Sequence, residues 1–369
     1  MYAAFLEKTH KSIAALKSHL ATSDALRSEI HEKGTLPPFN SQTLSINSAP
    51  DRLEWKLIDH CTAVTRLYAI YEQFAQEMIR EHLALLQNNV AFEDLPTELK
   101  SAYRKGFATI LDKKEGPRYG HLDLSNLVEQ YGSALSGQSY TLEPLALLIQ
   151  EQNLRLPELT RLFAASGIAN INTWIDKHRH IKEFFELETR IGSSSEHELR
   201  ELIKYRNEAA HGSIDLTTLL GLDYLYEFCD FISVFCEAIS ERVQKTGLES
   251  LITSGSAAIR GKVSECLKSD TVLIGNMTGN FVIGDTIYLS GDDYCLERKI
   301  VSLQLDGTDY SELSLIKPTE LGLAVDKPGR NKSKLILITP EHPVVNDTST
   351  EDNQRGAQLF TSETTTNLA

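Results

Sequence analysis

A chain of 369 residues, 41% of them hydrophobic, is long enough for two or three domains with buried cores. Its formal net charge of −14 favours solubility and argues against broad, sequence-independent binding to duplex DNA, while leaving room for a local basic patch. The five cysteines (Cys61, Cys229, Cys236, Cys266 and Cys295) are odd in number and form no CxxC, so neither a disulfide framework nor a thiolate zinc site is expected, and a reduced cytoplasm fits.

In chain order, residues 1–34 read as a helical segment. Phe5, Ile13, Leu16 and Leu20 recur at roughly helical spacing, and Gly34 can end the run. Glu7, Lys8, His10 and Lys11 interrupt any apolar stretch, so this is no secretory signal. Residues 35–50, rich in Pro, Ser, Thr and Asn, read as a linker. Residues 51–250 read as an α-helical domain. Trp55, Ile58, Val64, Leu67, Tyr68, Tyr71, Phe74, Met78 and Ile79 trace one face of a long helix. The stretch 90–150 is less regular, and helices return near 155–165 and 172–190. Ser195-x-x-Glu198 predicts a capping box for a helix starting near Glu196, which Gly212 can close. A last helix is expected over about 217–244, with Cys229 and Cys236 facing the core as small hydrophobes. Asp223, Glu227, Asp230 and Glu237 within Leu219–Ile239, the most apolar segment, argue against a membrane span.

Beyond residue 260 the period changes. TVLIG, FVIGDTIYL, KIVSLQL, LGLAV and KLILI are short, β-branched and separated by turn residues, which predicts a small β-barrel over 260–339. The Thr-, Ser-, Asn- and acid-rich tail, 340–369, reads as disordered.

The residues that carry chemistry are RNEAAH, positions 206–211, before Gly212. An arginine and a histidine at a helix end can serve one phosphate. In metal-free RNA cleavage the ribose 2′-hydroxyl loses a proton as it attacks phosphorus, and the leaving 5′-oxygen gains one. Histidine does either near neutral pH. A guanidinium fork stabilises the charge that builds on the phosphorane. Asn207 could hold a ribose oxygen or orient the imidazole. One imidazole cannot act as base and acid at once, so two copies across a twofold axis are expected. By composition, Arg-x4-His arises roughly 0.4 times in a chain this long, but Arg-Asn-x3-His only roughly 0.02 times. The competing reading is an exposed helix end with a dipole-favoured histidine. Lys204 and Tyr205 could bind phosphate and stack a base, alongside Arg200. His178 and His180, two apart in DKHRHIK, point to different helix faces, so an exposed helix start is expected there and no metal site.

RNEAAHG at a helix end before a long apolar helix resembles the HEPN superfamily of ribonucleases, whose motif is Arg, a polar residue, spacers, then His. Residues 55–79 look like the first helix of a bacterial HEPN branch, with Tyr71-Glu72-Gln73-Phe74 as its aromatic–acid–x–aromatic stretch. The likeness covers about 51–245. It implies a helical bundle, dimerisation, RNA as substrate, and a toxin or anti-phage role. Arg206, Asn207 and His211 carry over as catalytic residues, and Glu72 as a supporting one. No cofactor or metal is implied. A regulatory or antitoxin protein is an implied partner.

Residues 276–338 resemble the second domain of translational GTPases such as elongation factor Tu, although Thr319-Glu320 stands before LGLAV where a Gly is usual. No GTPase accompanies the barrel. The nearest approach to a phosphate loop, Gly255 to Val263, has five spacers and Val after Lys262. Lys327, Arg330, Lys332 and Lys334 could dock RNA, but nine basic against eleven acidic residues between Lys262 and Lys334 favour a protein-docking or dimer-supporting role. The expected fold is therefore multidomain α plus β, a HEPN-type bundle followed by a small C-terminal barrel. The expected activity is a metal-independent endoribonuclease. The alternative is a non-catalytic scaffold that binds a partner protein or nucleotide.

Overall fold

The computed structural model describes residues 1–33, 49–149, 152–186, 194–212, 214 and 219–339. The Gly34 stop, all but the last two residues of the expected linker, and the expected disordered tail lie outside the described residues. Helix α1 spans Ala3–Ser28 and ends in a π-helical turn, Glu29–Lys33. Helix α2, Arg52–Asn89, starts where the Asp51 carboxylate accepts from the backbone N–H of Leu53 and Glu54. Its apolar face from Val64 onward (Leu67, Tyr71, Phe74, Met78 and Ile79 among others) is buried, as its period predicts, but in the first turns Ile58 is exposed and Trp55 only half-buried. Helix α1 packs on α2 and on α9, Leu222–Thr253. Helix α8, Ser195–His211, packs on α2. Cys229 and Cys236 are both fully buried in this core.

The stretch 90–150 is more helical than its sequence suggests: α3 covers Thr97–Asp112 and α4 covers Leu124–Leu135. Its Pro and Gly residues punctuate helices without preventing them. Gly106 explains how α3 docks. A β-carbon there would lie 1.6 Å from the carbonyl oxygen of Ala146. Alanine would gain about 1 kcal/mol in helix propensity. It would force a backbone shift, so Gly106→Ala is expected to destabilise by about 3 kcal/mol net, checked by urea unfolding.

The helix expected over 172–190 breaks at His178 into α6, Ile171–Lys177, and α7, Arg179–Glu186, after α5, Leu156–Ala165. Residues 187–193 lie outside the described residues. The exposed histidine pair expected here is corrected. His178 is fully buried, 3.5 Å from Glu241 of α9. Arg179 donates to both oxygens of Glu241, at 2.6 and 3.0 Å, and His180 pairs with Glu237 at 2.7 Å. Buried charge demands such partners. Burial opposes the ionisation of Glu241, but hydrogen bonds from His178 and Arg179 and the Arg179 charge outweigh it and hold the carboxyl at about 2.

His82 of α2 is buried, and among the described residues its Nδ1 has no hydrogen-bond partner. Burial pushes its pKa down from 6.5 to about 4, so the native imidazole is neutral. The unfolded chain binds a proton the native one refuses, and stability falls as pH drops from 6.5 toward 4, by about 3 kcal/mol in all. His180 runs oppositely. Its pKa is raised by the hydrogen bond to Glu237, so its contribution is present below 6.5 and is lost as pH rises through the folded value. Comparing the pH dependence of unfolding in wild type and His82→Leu isolates the first effect, and the variant should lose less stability in acid.

Helix α9 runs nine residues past its expected end because Leu248 and Leu251 pack on the barrel residues Tyr288, Cys295 and Ile336. Strand β1, Ala257–Leu267, follows almost at once. The remaining strands are β2 (Val272–Val282), β3 (Thr286–Ser290), β4 (Cys295–Leu305), β5 (Thr308–Tyr310), β6 (Glu312–Val325) and β7 (Lys334–Ile338). Their order β3-β7-β1-β2-β6-β4 closes through a β3–β4 pairing, with short β5 appended to β4. The ring is antiparallel throughout and filled by Leu273, Met277, Phe281, Leu289, Leu303 and Leu323. The Gly255–Val263 stretch, rejected above as a phosphate loop, lies mostly in β1; one local reading needs correcting, since Thr319-Glu320, read as the turn before LGLAV, sits inside β6, paired with Met277 and Asn276. No helix among the described residues is long and apolar enough to cross a membrane.

Candidate active site at the end of helix α8

The cap of α8 falls one residue earlier than expected. Ser194, in extended conformation, accepts from the His197 N–H, while Ser195 is the first helical residue and is buried. The other end behaves as the sequence predicts: Gly212 takes the left-handed conformation, φ 66°, which favours glycine. Arg206 and Asn207 lie in the last turns of this helix, with Arg206 against Tyr68 of α2.

Three elements meet there. On α2, the Tyr68 hydroxyl donates to Glu72 at 2.9 Å, one turn further along. The same hydroxyl accepts from the Leu154 N–H at 2.9 Å, and the neighbouring Tyr71 hydroxyl donates to the Leu154 carbonyl at 3.0 Å. Two tyrosines thus pin the backbone at Leu154, and the residue before it, Asn153, is turned toward α8. There the Asn153 carbonyl oxygen accepts from Arg206 Nη1 at 3.1 Å, while its amide donates to the Asn207 Oδ1 at 3.1 Å. Arg206 Nη1 also donates to Asn207 Oδ1 at 3.0 Å. The Arg206 guanidinium lies over the Tyr68 ring, 4.7 Å from its centroid, a cation–π contact. Burial pushes the Tyr68 hydroxyl up to about 12, so it stays a donor at neutral pH; the Leu154 hydrogen bond opposes that shift and Glu72 adds to it.

Of the residues singled out from sequence, Arg206 and Asn207 are joined directly, and Glu72 is linked to them through Tyr68. His211 is exposed at the last position of α8. It lies five positions after Arg206, about 140° around a helix of 3.6 residues per turn, so the two side chains leave the helix on different faces. Among the described residues no hydrogen bond or ion pair joins His211 to the cluster. Lys204 is exposed, 3.9 Å from Glu201 and 5.5 Å from the centre of the Tyr205 ring. Tyr205 is half-buried and edge-on to His60 and Phe228, with ring centres 5.5 and 6.2 Å away, so much of its ring is used in packing. Among the described residues no group of three or more His, Cys, Asp or Glu is arranged to hold a metal ion.

Sequence reasoning missed Asn153 and Tyr68. Tyr68 has the spacing of a core aromatic, and its ring does pack as one. Asn153 comes from a segment with no motif, and only folding brings it to α8.

The family model described as RiboL-PSP-HEPN matches residues 39–245, more than half of the chain. The chain belongs to the RiboL-PSP-HEPN family. The matched span of this HEPN protein contains α2, the Asn153 segment, α8 and most of α9, and stops short of the barrel. No curated protein matches the chain closely enough to count as a relative. Among solved structures, the C-terminal domain of a Geobacillus thermoleovorans protein titled a U32 peptidase is similar at 13% identity. That likeness covers 22% of this HEPN chain and 92% of the other, with a TM-score of 0.20, and carries no conclusion.

Proposed function

We propose that this HEPN protein is a metal-independent endoribonuclease that acts as a dimer. The observation behind this reading is the motif itself. Arg206 and Asn207 are held in a polar cluster with Asn153, against Tyr68 of α2, and an exposed His211 stands at the end of the same helix, all inside the family's span. Arg206 stabilises the phosphorane as negative charge builds. Asn207 orients the ribose or the imidazole. Glu72 supports Arg206 through the Tyr68 hydroxyl. The imidazole of His211 transfers protons, and the face it occupies favours a composite site. Two copies related by a twofold bring two imidazoles to one phosphate, one taking the 2′-hydroxyl proton and the other protonating the 5′-oxygen. The products are a 2′,3′-cyclic phosphate and a 5′-hydroxyl.

A net charge of −14 disfavours indiscriminate RNA binding, so a folded, translation-related RNA such as tRNA is the preferred substrate, in a toxin or anti-phage role that a regulatory or antitoxin protein would hold silent. The barrel, with its sequence resemblance to the second domain of elongation factor Tu, serves as an accessory docking module. Its basic loop is only partly free, because the Arg330 guanidinium lies 4.9 Å from the Tyr294 ring centre.

The test is incubation of the purified protein with total tRNA in EDTA, with analysis of product ends and of mass by sedimentation. Cleavage by a dimer, leaving cyclic-phosphate ends, supports the proposal. No cleavage of any RNA, with partner binding unchanged in His211→Ala, overturns it in favour of a scaffold that binds a protein or nucleotide.

A further inference from the structure

We infer that Asn153 is a positioning residue of the α8 site, holding the Arg206 guanidinium and Asn207 in one rigid arrangement; this rests on the proposed nuclease reading. The argument begins with what an arginine needs. A guanidinium has five donors on a long flexible stem, and it stabilises a phosphorane only if its fork is already aimed. At the end of α8 nothing in RNEAAH itself fixes that aim. Asn207 alone supplies one acceptor to one nitrogen, and its own carboxamide could rotate. Asn153 removes both freedoms. Its carbonyl oxygen accepts from the same Arg206 Nη1 that Asn207 engages, and its amide nitrogen donates to Asn207 Oδ1, closing a triangle of three hydrogen bonds between 3.0 and 3.1 Å. The Tyr68 ring lies under the guanidinium, 4.7 Å from Cζ to its centroid, and backs the group on a second side. The other Arg206 nitrogens are thereby left in a fixed orientation, to be shared with a phosphate.

The support for Asn153 is itself rigid. Leu154, next in the chain, is buried and bonded at both its N–H and its carbonyl to the hydroxyls of Tyr68 and Tyr71. Tyr68 therefore does two jobs, covering the guanidinium with its face and holding the Asn153 backbone with its hydroxyl. A neutral amide suits the position. It offers an acceptor to Arg206 and a donor to Asn207 without cancelling the positive charge, which an aspartate would do.

The chemistry separates two substitutions. Asn153→Ala leaves the charge and frees the guanidinium, so kcat should fall by about 100-fold with KM nearly unchanged. Asn153→Asp keeps an acceptor on Arg206 but neutralises it toward phosphate, so KM for RNA should rise while the guanidinium stays held. Arginine side-chain NMR reads position without any activity. Rotation about the Arg206 Nε–Cζ bond should be slow in wild type, faster in Asn153→Ala and slow in Asn153→Asp. If Asn153→Ala proves unfolded by circular dichroism, the isosteric Asn153→Asp decides alone: raised KM with a held guanidinium supports the role. Unchanged guanidinium rotation in a folded Asn153→Ala, or kinetics within twofold of wild type in either variant, overturns it. A wild type that cleaves no RNA while the guanidinium still responds to Asn153→Ala refutes the nuclease reading and leaves the positioning contact standing.

Discussion

Replacing Arg206 or His211 with alanine is expected to lower kcat for RNA cleavage about 1000-fold, with each fold preserved. The two losses should differ in kind. On the proposed mechanism, removing Arg206 deletes a contact that strengthens as the phosphorane forms, so kcat and kcat/KM should fall together. Arg206→Lys should recover little, because a point charge cannot replace a planar fork held over the Tyr68 ring. On the same mechanism, removing His211 deletes proton transfer. The bell-shaped pH profile that a base and an acid produce together should flatten, while RNA affinity changes little, since the imidazole lies exposed and away from the Arg206 cluster. Steady-state kinetics on a defined RNA across pH would measure both. Cleavage at wild-type rates by either variant would sink the assignment.

Glu241→Ala is expected to destabilise the protein by about 4 kcal/mol. This carboxylate takes two hydrogen bonds from Arg179, faces the buried His178 and accepts from the Cys295 N–H of β4 at 2.9 Å. Alanine would leave the half-buried Arg179 guanidinium with only Glu237, 3.4 Å away, and the buried Cys295 N–H without its acceptor. Glu241→Gln keeps an acceptor for Cys295 and should lose about half as much. The acid limb follows from the same group. Its folded pKa, about 2, lies below the ordinary 4.5, so its contribution is complete above pH 4.5 and disappears as pH falls toward 2. Urea titrations of the three proteins at pH 7 and pH 3 would check this, with the difference between wild type and Glu241→Ala shrinking in acid.

What the sequence disclosed, and what it withheld, follows physical lines. Helix α2 was legible because its apolar residues repeat every three or four positions over many turns, and most of the strands because their residues are β-branched and bounded by Gly, Asp and Asn. Strand β1 was harder, since Gly261 and Lys262 dilute its pattern and a bulge near Gly261 breaks its register with β7. The choice between Ser194 and Ser195 as cap is a matter of one backbone rotation, which composition does not encode. His178 looked exposed because its partner, Glu241, is far away in the chain. In the candidate site, Arg206, Asn207 and His211 could be read because they are contiguous and chemically unusual together. Asn153 could not, because its place beside Arg206 is created by two tyrosine hydroxyls holding Leu154.

Helix α9 has one further consequence. Its first half lines the helical core with Phe228, Phe231 and Phe235, and its far end supplies Leu248 and Leu251 to the barrel. The Gln244 amide and the Lys245 ammonium clasp the barrel carbonyls of Cys295 and Gly291 at 2.9 and 2.6 Å. A single rod therefore serves as the spine of both halves. The barrel is thereby fixed to one end of a rod whose other end runs through the helical core, as a tool is fixed to its handle.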